Sequence, residues 1–162
     1  MVYGKIFVCW MTAWTDELDR EIIAIAISDS AAVRLQQLRG VGPMIATALV
    51  VALGDARQFT NGRQFAASLG LTPRQHSSGG KDRLLGISKR GDAYMRALMV
   101  HGARSALRTA KSKEDRLSQW AFRLAERSHP NVAAIALANK TARMAWAMLR
   151  HDSDYQPDRA AA

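Results

Sequence analysis

Residues 38–54 have the sequence LRGVGPMIATALVVALG, a glycine-containing turn followed by an apolar stretch that ends at another glycine. Pro43 suits the first turn of a helix, because its missing N–H would have no helical partner there. The apolar run Val41–Leu53 has 13 residues, whereas a membrane-spanning helix needs about 20. The stretch therefore predicts a buried helix. We do not expect the chain to be an integral membrane protein or to have a membrane partner.

The rest of the chain also carries helical signals, and no run shows the period-two alternation of a strand. Capping residues precede apolar positions at helical spacing, and glycine or proline separates the segments. Thr15, Ser30, Asn61 and Asp92 are predicted to cap helices, and Pro43 and Pro130 to lie in the first turn of two more. Another helix is predicted through Leu117, Trp120 and Leu124. Residues 1–14 are predicted to be an irregular start, and Trp120 and Trp146 are predicted to be core residues. The predicted fold class is all-α.

Basic residues are concentrated in the second half of this chain of 162 residues, whose formal net charge is +9. Residues 1–73 carry six basic and six acidic side chains, residues 74–110 eight against two, and residues 111–150 eight against three. Such an asymmetry is typical of a surface that meets a polyanion, so nucleic acid is the first predicted partner. The alternative is scattered charge that keeps helix faces solvated, and it fits 111–150 better than 74–91.

Chain length limits the number of domains, and cysteine content indicates the cellular compartment. A chain of this length forms one compact domain with little left over. The single cysteine, Cys9, can form neither an internal disulfide nor a zinc cluster, which is typical of a reducing compartment. We therefore expect a cytoplasmic protein.

The turn Gly40-Val41-Gly42 has the form of a helix-hairpin-helix element. Two glycines allow a tight turn with positive φ, and the free N–H groups of the next helix can hold a phosphate of a nucleic-acid backbone. Gly40 and Gly42 are therefore candidate nucleic-acid-binding residues. The alternative is an ordinary connection between two helices that uses glycine for its turn.

Residues 72–91 are polar, basic and rich in glycine, and they predict a long functional loop. Ser78, within Ser77-Ser78-Gly79-Gly80-Lys81, is a candidate nucleophile. Attack of a hydroxyl on a phosphodiester needs cations near the developing charge and an acceptor for the hydroxyl proton. The candidate cations are Lys81, Arg83, Lys89, Arg90 and Arg96, and His76 is a candidate proton acceptor. Spacing alone leaves open a flexible linker whose basic residues only touch phosphates.

Several motifs occur in an order that resembles the C-terminal domain of the insertion-sequence family 110/116/902 transposases. They are Leu38–Pro43, Phe65–Pro73, Ser78–Lys81, Gly86–Asp92 and Met95-Arg96. The resemblance implies that Ser78 matches the family's serine nucleophile, which becomes joined to DNA, with Ser77 as the alternative by adjacency. A basic helix-hairpin-helix module that binds nucleic acid without catalysis is the other interpretation.

The resemblance also implies partners and a domain arrangement. Complete members carry, ahead of this domain, a ribonuclease-H-like domain whose four carboxylates bind divalent metal, and they cut and rejoin DNA guided by a structured RNA, as homo-oligomers. The sequence has no such domain, so we expect no cofactor in this chain and interpret it as a fragment. The expected parts are a helical lead over 1–30, the transposase domain over 31–150 and a polar tail over 151–162.

Overall fold

The computed structural model describes residues 2–78 and 81–157, and the side chains of residues 14–75 and 85–157. The described part is mostly helical, so the predicted fold class is confirmed. Its elements in chain order are α1 (Val2–Ser28), α2 (Ser30–Leu35), α3 (Pro43–Leu53), a 3-10 turn (Ala56–Gln58), α4 (Gly62–Ser68), β1 (Pro73–Ser78), β2 (Lys81–Ile87), α5 (Ala93–Ala110), α6 (Arg116–Arg127) and α7 (Pro130–Arg150).

Local capping explains where several helices begin. Asn61 accepts a hydrogen bond from the N–H of Gln64 at 3.0 Å, and Asp92 accepts one from the N–H of Met95 at 3.0 Å. Pro43 and Pro130 occupy first positions of α3 and α7, where a missing N–H costs nothing. These four predicted helix starts are confirmed.

Two predicted helix caps, Thr15 and Ser30, are wrong. α1 begins at Val2, so the irregular start predicted for residues 1–14 is helical from Val2 on, and Thr15 lies inside the helix. No proline interrupts that stretch, so nothing in it stops a helix from extending towards the N-terminus. The cap of α2 is Asp29, whose carboxylate accepts from the N–H of Ala31 at 2.8 Å, and Ser30 is the first helical residue.

The long loop predicted over 72–91 is also wrong, because most of it forms an antiparallel hairpin of β1 and β2. Pro73 pairs with Ile87 at the base and Ser78 pairs with Lys81 at the tip. Gly79 and Gly80, between the last pair, lie outside the described residues. The strands were missed because their side chains do not alternate between apolar and polar, so their pairing depends on backbone hydrogen bonds and on anchoring at the base.

The core is centred on α7, which packs against α4, α5 and α6. The largest buried side chains around it include Phe65, Leu69, Leu71, Leu117 and Leu137. Trp120 and Trp146 are half-buried against this core, as predicted, and the indole N–H of Trp146 donates to the carbonyl of Ala56 at 3.0 Å. No helix in the described part combines the length and hydrophobicity needed to cross a membrane.

The chain after α7 folds back onto α2 and the turn that follows it. Arg34 forms an ion pair with Asp152, and the side-chain amide of Gln37 donates to Asp154 at 3.1 Å. The N–H of Tyr155 donates to the Gln37 side chain at 2.8 Å. Residues 151–157 thereby contact α2 and the turn before α3.

Candidate nucleic-acid interface

The turn before α3 contains one glycine in the left-handed region of backbone conformation. Gly40 has φ +78°, a region that favours glycine, which agrees with the prediction from sequence. Gly42 has φ −93° and an extended conformation that any residue adopts, so the positive φ predicted for it is wrong. The turn needs only one left-handed residue because Val41 N–H already bonds back to the carbonyl of Leu38 at 3.1 Å.

The N-terminus of α3 has the features of a phosphate-binding helix end. Gly42 is its N-cap and is exposed, and it provides no side chain to cap the N–H groups of the first turn. Unpaired N–H groups and the positive end of the helix dipole attract a phosphate. Gly42 leaves the approach open, since a Cβ built on it would have no neighbour within 4 Å.

The base of the β-hairpin is fixed to the helical body by backbone hydrogen bonds. The N–H of Ser88 donates to the carbonyl of Thr72 at 2.9 Å, and that of Asp92 donates to the carbonyl of Ser68 at 3.2 Å. The side chain of Asn139 on α7 also donates to the carbonyl of Leu71 at 3.2 Å. The entry and exit of the hairpin are therefore held together on α4.

Arg96 is half-buried and holds the end of α4. Its guanidinium Nη1 donates to the carbonyl of Leu69 at 3.0 Å, where the helix leaves carbonyl groups without helical partners. Arg96, which the sequence groups with the phosphate-binding cations, thus also has a positioning contact under the hairpin.

Lys89 and Arg90 lie between the hairpin and α5, and both are exposed. Lys89 has φ +54°, an unusual conformation for a residue with a Cβ, and the next glycine, Gly91, has φ +108°. The N–H of Lys89 donates to the carbonyl of Gly70 at 3.3 Å, which holds this conformation in place. Two adjacent cations are thus presented on a fixed turn.

The residues grouped by sequence in one loop are separated in space. Ser78 and Lys81 are Cα partners at the tip of the hairpin, and Ser88 bonds to Thr72 at its base. Five steps along β1 at about 3.3 Å per residue put roughly 16 Å between tip and base. Lys89 and Arg90 therefore lie at the opposite end of the hairpin from Ser78.

Backbone positions alone are described for several candidate site residues. Ser77 pairs with Asp82 and His76 with Arg83, next to the Ser78–Lys81 pair. Their side chains lie outside the described residues.

Sequence reasoning missed a second group of cations on α6 and α7. Arg116, Arg123 and Arg127 line a cleft with Trp120, and the ammonium of Lys140 lies 5.0 Å from the centre of the Trp120 ring. Burial lowers the pKa of Lys140, and the nearby charge of Arg143 lowers it further. The sequence feature that indicates this group is the spacing of these α6 residues, which places them on one face of the helix.

The chain is similar to known transposases over most of its length. Residues 32–119 match the family described as "Transposase IS116/IS110/IS902 family". The chain is 51% identical to the "Probable family 20 transposase" of Pseudomonas aeruginosa over 140 residues, which are 86% of this chain and 41% of that protein. It is 44% identical to the transposase for insertion sequence element IS1111A of Coxiella burnetii over 140 residues, which cover 86% of this chain and 38% of that protein.

A further relative is the transposase for insertion sequence element IS1328 of Yersinia enterocolitica, 44% identical over 131 residues. That match covers 81% of this chain and 39% of the relative, so the chain spans about two fifths of the length of these curated relatives. The family match covers more than half of the chain and includes the turn before α3, the β-hairpin and α5. The chain belongs to the IS116/IS110/IS902 family of transposases.

Proposed function

We propose that this chain is the DNA-binding and strand-transfer part of a serine-nucleophile transposase, and that Ser78 is the nucleophile. The observation that carries the proposal is the position of Ser78 at the end of β1, paired with Lys81, in a chain of this transposase family. A residue at the tip of a hairpin projects from the helical body, so it can reach a phosphate of a bound duplex. Ser77 is the alternative nucleophile.

The proposed reaction exchanges one phosphodiester for another. The Ser78 hydroxyl attacks the phosphorus, a bond forms between its oxygen and phosphorus, and the bond from phosphorus to the leaving deoxyribose oxygen breaks. The hydroxyl proton passes to a base, for which His76 on the same strand is the candidate, and the leaving oxygen takes up a proton. Attack by another strand's hydroxyl reverses the step and rejoins the DNA, so no external energy source is consumed.

Lys81 and Arg83 stabilise the negative charge that develops at the scissile phosphate. They are the cations nearest to Ser78 in the register of the hairpin. Lys89 and Arg90, at the hairpin base, bind phosphates further along the same duplex. The N-terminus of α3, with Gly40 and Gly42 before it, holds another phosphate through backbone N–H groups.

The proposed partner of this arrangement is duplex DNA, which agrees with membership of a transposase family. The resemblance adds a structured guide RNA and further copies of the chain as partners of the whole enzyme. Self-association is supported by α1, on which Trp14, Leu18 and Ile25 are exposed by 64%, 46% and 55%. These residues follow one side of the helix, and a second copy would remove them from water.

A chimera tests the nucleophile. Residues of the Pseudomonas aeruginosa relative that align with this chain are replaced by the chain's own, and the chimera is incubated with a DNA substrate that traps a covalent protein–DNA adduct. The adduct is then digested, and the linked residue is identified by peptide mass. We expect attachment at Ser78.

The matched variants are Ser78→Ala and Ser77→Ala. Ser78→Ala should abolish the adduct while binding of duplex DNA stays within about twofold, since the substitution removes no charge. Ser77→Ala should retain the adduct. Attachment at Ser77, or an adduct that survives in Ser78→Ala, would overturn the assignment, and duplex binding without any adduct would favour the non-catalytic module.

A further inference from the structure

α6 presents a stripe of arginines around a half-buried tryptophan. Arg116, Trp120, Arg123 and Arg127 are separated by four, three and four residues, so they share one face of the helix. Together they line a cleft of about 400 Å³. Arg123 and Arg127 are exposed, and guanidinium groups in a row suit the phosphates of a nucleic-acid backbone.

An apolar groove adjoins this stripe and shares Trp120 with it. The groove has a volume of about 1090 Å³ and runs between the base of the β-hairpin, α4 and α7. Its apolar lining includes Leu85, Val132, Ile135 and Trp146, and Leu85 and Val132 are exposed by 43% and 54%. Large apolar side chains left in water beside a row of cations indicate a ligand that is both apolar and anionic.

The charge of the groove agrees with that of the stripe. Arg63, Lys140 and Arg143 line it, and no carboxylate does among the residues that the structure describes. Lys140 lies over the Trp120 ring at the junction between stripe and groove, where its pKa is lowered by burial and by Arg143. Cations therefore border the apolar surface from α4, α6 and α7.

We propose that the α6 arginine stripe and this groove bind an unpaired DNA strand, with phosphates on the arginines and bases in the groove. A duplex keeps its bases stacked inside and presents phosphates and sugars, so it cannot fill an apolar groove, whereas an unpaired strand exposes both groups. That the strand is DNA rests on the proposed function, because strand transfer must separate the strands that it exchanges.

The test uses the full 162-residue chain and fluorescence anisotropy. The probes are a labelled mixed-sequence oligodeoxynucleotide of about 15 nucleotides, the matching duplex, and an oligoribonucleotide of the same sequence. In the variant Arg123→Glu/Arg127→Glu, affinity for the single DNA strand should fall about tenfold or more, since two phosphate contacts become repulsive. The control Arg20→Glu/Arg57→Glu makes the same charge change elsewhere and should lower that affinity by less than about threefold.

Val132→Asp is a second variant, which tests the groove without changing any arginine. Val132 is in the first turn of α7, where the helix dipole favours a carboxylate, so the fold should be retained or stabilised. A negative charge in the groove should nevertheless weaken single-strand binding about tenfold and leave duplex binding within the range of the control.

The outcomes separate this proposal from the role of Ser78. A selective loss of single-strand binding in both variants supports the surface, whatever the adduct experiment gives. Three results would overturn it: no binding of the single strand by the unmodified chain, an equal loss for strand and duplex, or unchanged binding in both variants. Tighter binding of the RNA probe, with the same loss in the variants, would overturn the assignment to DNA.

Discussion

Gly40 and Gly102 lie so close that a Cβ on either residue would overlap the carbonyl oxygen of the other. Gly40 is in the turn before α3 and Gly102 is in the middle of α5, so this contact sets the distance between the two elements. The hairpin exit leads into α5 through Asp92, and the N-terminus of α3 follows Gly40. The glycine contact therefore fixes two proposed phosphate-binding positions relative to each other.

Adding a methyl group at this contact should destabilise the fold. Gly102→Ala would bring a Cβ within 3.2 Å of the Gly40 carbonyl carbon and 2.8 Å of Ile45 Cδ1. Overpacking of this kind costs about 1–3 kcal/mol, more than the helix propensity that alanine gains. Gly40→Ala should cost about 1–2 kcal/mol more than Gly102→Ala, because the strain of positive φ adds to the overlap. Thermal unfolding measures both.

Gly42→Ala is the matched control for the glycine variants. Gly42 has an ordinary φ, and a methyl group added to it would have no neighbour within 4 Å. The free energy of unfolding should therefore change by less than about 1 kcal/mol. A large loss in Gly42→Ala, or none in Gly102→Ala, would contradict the packing described for this turn.

Asp115 should make the stability of the fold depend on pH. It caps α6, with hydrogen bonds from the N–H of Ser118 at 2.9 Å and its hydroxyl at 2.8 Å, and it pairs with Arg39 at 3.2 Å. Burial raises the pKa of Asp115, but the Ser118 hydrogen bonds and Arg39 outweigh burial and hold the pKa below its ordinary value. The charged form is therefore favoured by folding.

The expected sign follows from that lowered pKa. The stabilisation is present at neutral pH and is lost as the pH falls below the ordinary carboxyl value of 3.8 and through the lower folded value. Asp115→Asn keeps the cap without the charge, so it should be less stable than the unmodified chain by about 1 kcal/mol at neutral pH and equal to it in strong acid. Thermal unfolding between about pH 7 and pH 2 measures the difference. A difference that widens in acid would contradict the assignment.

Lys89 should lower the stability of the fold and strengthen DNA binding. Its φ of +54° costs a residue with a Cβ about 1 kcal/mol, so Lys89→Gly should raise the free energy of unfolding by up to that amount. The same substitution removes an exposed cation and should weaken duplex binding. Arg90→Ala makes the same charge change without relieving strain, so it should weaken binding and leave stability unchanged. Equal stability changes in the two variants would show that Lys89 is not strained.

Duplex binding should depend steeply on salt. Residues 74–110 and 111–150 hold the whole excess of positive charge. Each phosphate that a cation neutralises makes the negative slope of log K against log salt steeper by about 0.9. Lys89→Gly and Arg90→Ala should each reduce that slope by about 1. A slope near zero in the unmodified chain would contradict an interface that acts through phosphates. Anisotropy titrations across a salt series give the slope.

Local sequence determined where most helices start. Pro43, Asn61, Asp92 and Pro130 act within one turn of themselves, so their effect does not depend on the rest of the chain. The same holds for Gly40, whose positive φ follows from the turn in which it lies. Local competition also explains the misplaced cap of α2, since Asp29 and Ser30 are both good caps and adjacent.

The β-hairpin was beyond such local rules. Pro73–Ser78 and Lys81–Ile87 have little strand propensity and no alternation, so the Gly79-Gly80 pair between them was a turn signal without recognisable strands on either side. The pairing is anchored at the base by α4, α5 and α7 through Ser68, Arg96 and Asn139. These contacts join residues far apart in sequence.

Tertiary structure alone decided which basic residues lie close together. Sequence placed Ser78, Lys89 and Arg96 in one site, but pairing of the strands moves the tip of the hairpin away from its base, and Arg96 bonds to α4. The packing of α6 on α7 also brings Trp120 next to Lys140 at the edge of the groove. Helix caps depend on hydrogen bonds within a few residues, whereas a binding surface depends on how separate elements pack. No periodicity along the chain encodes the distance between two such elements.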